Sequence, residues 1–278
     1  MKALFDKVSI QASRFTTKAY STSFSLGILC LEKQLRDPIY AIYGFVRFAD
    51  EIVDTFHDYD KASLFERFRH DSFLAIQERI SLNPILNSFQ HAVHKYNIQM
   101  ELIERFLKSM EMDLHKNAYD DNGFKEYIVG SAEVVGLMCL RVFCKGDNDM
   151  YERLKPQAMS LGSAFQKINF LRDLNDDFAG KGRTYFPHLK VTSFDEQSKK
   201  EIEKGIEHDF SEGFSGIKKL PRSARFGVYV AYMYYLALFR KIRKTPSEYV
   251  LQSRISIPNR HKATLLAYSF VKHQLNMI

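Results

Sequence analysis

Residues 39–54 read IYAIYGFVRFADEIVD, a run that is apolar almost throughout yet carries Asp50 and Asp54 four residues apart. On a helix each residue turns by about 100°, so positions four apart project from one face. Counted from Asp50, the residues Ile39, Tyr43, Val46, Arg47, Val53 and Asp54 fall within roughly 60° of it. The opposite face, with Phe45, Phe48 and Ile52, is apolar as well. Such a helix is expected to be buried nearly all round. An ionised carboxylate withdrawn from water costs several kcal/mol unless a partner compensates it. Arg47, one turn before Asp50, can compensate one acid as a plain structural pair, whereas a divalent cation would compensate both. This segment by itself leaves both readings open.

A second segment, GSAFQKINFLRDLNDDF at residues 162–178, favours the cation. Gly162, Gln166, Asn169, Asp173 and Asp177 step by four, three, four and four and form one polar stripe. Leu161, Ala164, Phe165, Ile168 and Leu171 take the other side and anchor the helix in a core. Carboxylate and amide oxygens without thiols or paired imidazoles are hard ligands, suited to Mg²⁺ shared with phosphate oxygens. The implied ligand is a diphosphate. Arg47, Arg172, Lys181 and Arg183 sit beside the acids in sequence and could bind the same anion.

The remainder of the 278 residues carries the same helical period. Apolar residues recur at three- and four-residue steps over 39–56, 64–80, 98–114, 124–143, 159–178 and 226–242, with little strand-like alternation. The expected architecture is one all-α domain over residues 1–278, about ten helices in a compact bundle. Pro38, Pro156, Pro221 and Pro258 are expected in first turns. Gly180, Gly182 and Pro187 mark residues 178–190 as a non-helical insert, and its basic residues suggest a flap over a bound anion. A net charge of +7 suggests an anionic partner, but no motif for nucleic acid is present. The three cysteines lack CxxC spacing, which argues against a disulfide framework or zinc and fits a reducing cytoplasm. His91 and His94 have metal-compatible spacing but no evident third ligand. No P-loop or GxGxxG is found. The N-terminus carries charges throughout, and the longest uncharged run, residues 226–239, is short of the roughly 20 residues of a membrane span. No spanning segment is expected.

Four stretches, STSFSLG (21–27), AIYGFVRFADEIVD (41–54), YIVGSAEVVG (127–136) and FQKINFLRDLNDDFAGKGRTYFP (165–187), resemble the squalene and phytoene synthase family of head-to-head isoprenoid synthases. They occur in the family's order and spacing from about Tyr20 to Arg260. The resemblance implies an isoprenoid-synthase helical bundle with a central cavity. It implies two or three Mg²⁺ ions held by Asp50 and Asp54 on one wall and by Asn169, Asp173 and Asp177 on the other. Ser21, Ser23, Phe24, Tyr43, Arg47, Tyr127, Gln166 and Arg172 match positions that bind the diphosphates or prenyl chains, as Lys181 and Arg183 could. Tyr249 and Arg254 in EYVLQSRISIP match a weaker C-terminal motif. The chain departs from the pattern at Glu51, where many relatives have a second aspartate, and at Glu133, where a small residue is usual.

The chemistry the resemblance implies is ionisation of one prenyl diphosphate, attack by the double bond of a second to give a cyclopropylcarbinyl diphosphate, and a second ionisation in the same cavity. Apolar walls must keep water from the cation, and Phe24, Tyr43, Phe165 and Phe170 are candidates to face it. Likeness to the carotenoid branch implies two geranylgeranyl diphosphates giving phytoene by proton loss, with no NADPH consumed. Squalene or dehydrosqualene from farnesyl diphosphate is the alternative. A head-to-tail elongase or cyclase would show a DDxxD run, which is missing, and a non-catalytic relative would have lost its acids. An insoluble product implies contact with the inner face of the cytoplasmic membrane.

Overall fold

The computed structural model describes residues 1–115, 118–181, 185–187 and 194–275, and only the backbone at 177–181 and 259. Those residues form thirteen α-helices and no sheet. They are α1 (Lys2–Tyr20), α2 (Thr22–Leu29), α3 (Lys33–Asp54), α4 (Lys61–Glu78), α5 (Pro84–Tyr96), α6 (Met100–His115) and α7 (Asp121–Ile128). A π-helical turn, Val129–Glu133, joins α7 to α8 (Val134–Cys144). There follow α9 (Asn148–Lys181), α10 (Glu196–Lys219), α11 (Arg222–Lys244), α12 (Ser247–Val250) and α13 (Asn259–Gln274).

Local chemistry sets the boundaries. Asp60, Asn83, Asp120 and Asp195 each accept a backbone N–H from the first turn of the helix they precede. Pro221 and Pro258 stand directly before α11 and α13, as expected. Pro38 and Pro156 do not open helices: they lie inside α3 and α9. The carbonyls that lose a helical donor there belong to Gln34 and Glu152, both exposed, so the long helices absorb the loss. The expected insert at 178–190 is also corrected at its start, because α9 continues through Lys181. Tyr185 and Phe186 are buried, each 6% exposed.

Two apolar cores support the bundle. In one, centred on α3, α5 and α6, Phe45 stacks on Phe89 at 3.9 Å and tilts against Phe106 at 5.4 Å. The other joins α9, α10 and α11. The Asp121–Cys144 run is long and apolar enough by composition to cross a bilayer, contrary to expectation. Glu133 had broken the uncharged run that the sequence count relied on. Here the run packs against α3, α6 and α9 and lines the interior.

Close helix approach makes a long cavity between the cores. A Cβ at Gly162 would meet the Ala132 carbonyl oxygen at 2.7 Å, so α9 can lie against the π turn only with glycine there. One at Gly227 would come within 2.6 Å of the Gly27 carbonyl oxygen, which fixes α11 on α2.

Candidate active site

The cavity has a volume of about 380 Å³ and is walled by α2, α3, α6, the α7–α8 run, α9, α10 and α11. Its polar end is built by α3 and α9. Tyr43, Arg47 and Asp50 project from α3, and Gln166 and Asn169 from α9. The helical period thus brings these five side chains to one lumen, whereas Asp54 and Asp173, each four residues further on, are not among its lining residues. Phe24 and Tyr127 line it too.

Arg47 organises the α3 side. Its guanidinium pairs with Asp50 and also with Glu51, and it lies 4.2 Å from the Tyr20 ring centroid. Burial works against the charge on Arg47, but Asp50 and Glu51 more than offset it. Its Nε is buried with no hydrogen-bond acceptor among the described residues, a position an incoming anion would satisfy. Glu51 thus joins the site through Arg47, although on a helical count it points away from Asp50. The acids are less buried than expected: the Asp50 side chain is 34% exposed, Asp54 is half-buried at the last residue of α3, and Phe48 is exposed. Ser21 caps α2 by accepting the Phe24 N–H at 3.2 Å, and it hydrogen-bonds Tyr43. Burial pushes the Tyr43 hydroxyl up to about 12, with Arg47 pulling the other way, so it stays a neutral donor. Ser23 is half-buried in the first turn of α2.

On the α9 side Asn169 donates to the Gln166 carbonyl oxygen at 3.4 Å and accepts from the Tyr235 hydroxyl at 3.3 Å. Arg172 grips Asp173 with two donors, one at 2.9 Å, and Arg254 reaches the same carboxylate at 2.8 Å. Burial opposes the Arg172 charge, and Asp173 holds it above its ordinary range nonetheless. Arg254 is therefore brought to the site, whereas Tyr249, 57% exposed on α12, is not a lining residue. The side chains of Asp177 and Lys181, and all of Arg183, lie outside the described residues.

The aromatic expectations divide. Phe24, Tyr43 and Phe165 line the cavity, with Phe24 5.8 Å from Tyr43 and 6.4 Å from Phe165. Phe170 does not: it is 5% exposed and stacks on Tyr185 at 4.0 Å behind the wall. Sequence reading missed Tyr235, which stacks on Phe165 at 4.0 Å and presents its hydroxyl to Asn169. The sequence offered four tyrosines in that apolar run, Tyr229, Tyr232, Tyr234 and Tyr235, with nothing to single out the last. It also missed Asp113 on α6, 6% exposed, whose carboxylate accepts from Tyr127 at 2.6 Å, Tyr119 at 3.2 Å and Tyr185 at 3.5 Å. Nothing near it in sequence marks Asp113 out. Burial and then Asp113 raise the Tyr127 hydroxyl well above its ordinary value.

Glu133 belongs to another face. The π turn sends Ser131 and Ala132 to the cavity and Glu133 to a shallow cleft with Lys155, Ser160, Ser163 and Asp209. Burial, then Asp209, raises it to about 7, against Lys167, which pairs with Asp209 at 2.7 Å. The departure at Glu133 leaves the cavity wall to small residues. His91 pairs with Asp6 at 3.1 Å and His94 bonds the Ile76 carbonyl at 2.8 Å, which accounts for both without a metal.

Asp50, Asp54, Asn169 and Asp173 offer only hard oxygen donors, so the residue types fit Mg²⁺. Among the described residues no three acidic, histidine or cysteine side chains form a ready cluster. Arginines hold Asp50 and Asp173 instead.

Known proteins resemble this chain in sequence and fold. A 4,4'-diapophytoene synthase of Staphylococcus haemolyticus is 28% identical over 193 residues, 67% of this chain, and the match spans 65% of that protein. The chain thus covers just under two thirds of that relative. A 15-cis-phytoene synthase of Synechococcus elongatus is 24% identical over 93% of this chain and 91% of its own. The fold is similar to that of a dehydrosqualene synthase crystallised with a ligand, with a TM-score of 0.82, 21% identity and 98% of each chain covered. The family model for squalene/phytoene synthases matches residues 17–261, and the chain belongs to that family.

Proposed function

We propose that the protein joins two prenyl diphosphates head to head, with geranylgeranyl diphosphate as substrate and phytoene as product. The family, whose members are head-to-head prenyl diphosphate synthases, supports the reaction class. The length of the apolar wall supports the substrate. From Asn169 to Leu154 the lining of α9 covers fifteen positions, about 22 Å at the helical rise. Extended chain advances about 3.3–3.6 Å per three bonds, so a farnesyl chain of twelve bonds needs about 14 Å and a geranylgeranyl chain of sixteen about 18 Å. The wall accommodates the longer chain.

In this reading the diphosphates sit at the polar end. Arg47 and Arg254, which pair with Asp50 and Asp173, are placed to bind the anion. Asp50, Asp54, Asn169 and Asp173, with Asp177, would hold Mg²⁺, which when bound would stabilise the charge of the leaving diphosphate. Tyr43, kept protonated by burial, donates a hydrogen bond there. The allylic cation then meets Phe24, Phe165 and Tyr235, whose ring faces would stabilise it within the mostly apolar lining. In keeping with the carotenoid-branch likeness of the sequence, the last cation is expected to lose a proton rather than accept a hydride.

A second reading, farnesyl diphosphate giving dehydrosqualene, is favoured by the likeness to the dehydrosqualene synthase. Incubation with Mg²⁺ and equal amounts of both diphosphates separates the two. Phytoene is expected to dominate, and a predominance of dehydrosqualene would move the assignment to the shorter chain.

A further inference from the structure

The charge of this chain is divided between two unequal parts. Residues 218–278 hold twelve lysines and arginines against one acid, Glu248, a net of +11. With +7 overall, the preceding 217 residues carry −4. Several of these cations lie close together. Lys218 and Lys219 end α10, and Arg222 and Arg225 occupy the first turn of α11. α13 runs back along α11 in the opposite direction: Lys262 lies over the Tyr234 ring, while Phe270 and His273 pack on Phe226. Its last turns therefore bring Lys272 to the α10–α11 junction. Away from α11, Tyr268, Val271 and Leu275 are exposed by 49%, 54% and 63%, with Phe270 at the edge of the α11 contact still 51% exposed.

The same junction closes the hydrocarbon end of the cavity. Ile217, Leu220, Gly227 and Val228 line the lumen from α10 and α11. Tyr235, at the polar end, is eight residues further along α11, about 12 Å away. A patch of half-exposed apolar side chains ringed by cations, on a helix lying flat on the surface, suits an anionic bilayer: the side chains enter the interface and the cations meet the headgroups. The net positive charge opposes an isologous contact with a second copy, which would set like charges together.

We infer that the α10–α11 junction and the last turns of α13 form a docking face for an anionic lipid bilayer. It seats the hydrocarbon end of the cavity on the membrane and turns the acids of the polar end towards water. The use of that orientation, release of an insoluble product into lipid, rests on the proposed prenyl chemistry. The docking itself does not.

The test is flotation of the full chain with phosphatidylglycerol vesicles and with phosphatidylcholine vesicles, without substrate. Binding to the first, weakened by salt, and not to the second is expected. Reversing Lys218, Lys219 and Lys272 to glutamate should lower partitioning roughly tenfold or more. Val271→Ser with Leu275→Ser should lower it several-fold, with turnover in detergent unchanged for both variants. Lys7→Glu with Lys18→Glu, exposed on α1, should have little effect. Absence of binding, equal binding to both lipids, or equal loss from the α1 variant would overturn the inference. So would a change of oligomeric state in the Val271 and Leu275 variant with vesicle binding intact, since the face would then be an interface between copies. Vesicle binding by a chain that forms no hydrocarbon would overturn the proposed function and leave the docking face standing.

Discussion

At one end of the cavity, Arg47, Asp50, Gln166 and Asn169 face the lumen; at the other, Leu154, Ile217 and Leu220 do. Both ends use the same long helices, so α9 contributes Asn169 to the first and Leu154 to the second. The ends differ in what their side chains require. The polar end depends on charges in fixed relation, where a change of one atom matters. The apolar end depends on volume, where hydrophobic residues of similar size replace one another at little cost. Catalysis should then respond to the first end and chain length to the second.

Removing a metal-binding charge from the polar end should have the largest effect. Asp50→Asn and Asp173→Asn keep shape but lose charge, and each should reduce turnover about a thousandfold or more while the fold persists. Near-normal turnover in both variants would break the comparison at once. Filling the far end should act on length alone. Ala158 lies eleven residues from Asn169 along α9, about 16 Å, between the reach of the two chains. Ala158→Phe should cut geranylgeranyl turnover about tenfold or more and leave farnesyl turnover nearly intact, a contrast read from kcat/KM for each substrate. Equal losses would mean that the far end does not measure length.

Smaller effects sharpen the account of the walls. Asp113→Asn weakens three tyrosine hydrogen bonds, including the one that positions Tyr127. It should lower kcat about tenfold with KM little changed, and a loss in melting temperature alone would leave Asp113 a purely structural role. Glu133 affects stability rather than turnover. Its value rises on folding from 4.5 to about 7, so its contribution is fully present below 4.5 and disappears as pH rises through about 7. Glu133→Gln should remove that part of the pH dependence, and identical melting curves for both proteins across this range would count against it. Tyr235→Phe removes one hydroxyl from Asn169 and should cost only a few-fold in turnover, about 1 kcal/mol.

How legible these regions were in the sequence follows the same division. Helical class and both faces of α3 and α9 could be read because the 3.6-residue period places Tyr43, Arg47 and Asp50, and Gln166 and Asn169, without knowledge of neighbours. Asp113 and Tyr235 could not be found that way. Their roles come from contacts between distant segments, the first with Tyr127 and Tyr185, the second with Asn169. Phe170 failed as a cavity residue for the same reason, because only packing decides which side of α9 meets Tyr185. Glu51 was legible by the same count, applied from Arg47 rather than from Asp50: it stands four residues after the arginine, so the two share a face and pair.

The central claim is that the two substrates are joined through their diphosphate-bearing carbons. Geranylgeranyl diphosphate labelled with carbon-13 at that carbon, incubated with the protein and Mg²⁺ without NADPH, tests it most directly. The prediction is a hydrocarbon in which the two labelled carbons are bonded to each other as its central, equivalent CH=CH pair, seen as a single enriched olefinic carbon signal whose one-bond carbon–carbon coupling shows in the proton-coupled pattern. A longer prenyl diphosphate whose labelled carbons lie an isoprene unit apart, or prenyl alcohol alone, from this substrate and from farnesyl diphosphate alike, would contradict it.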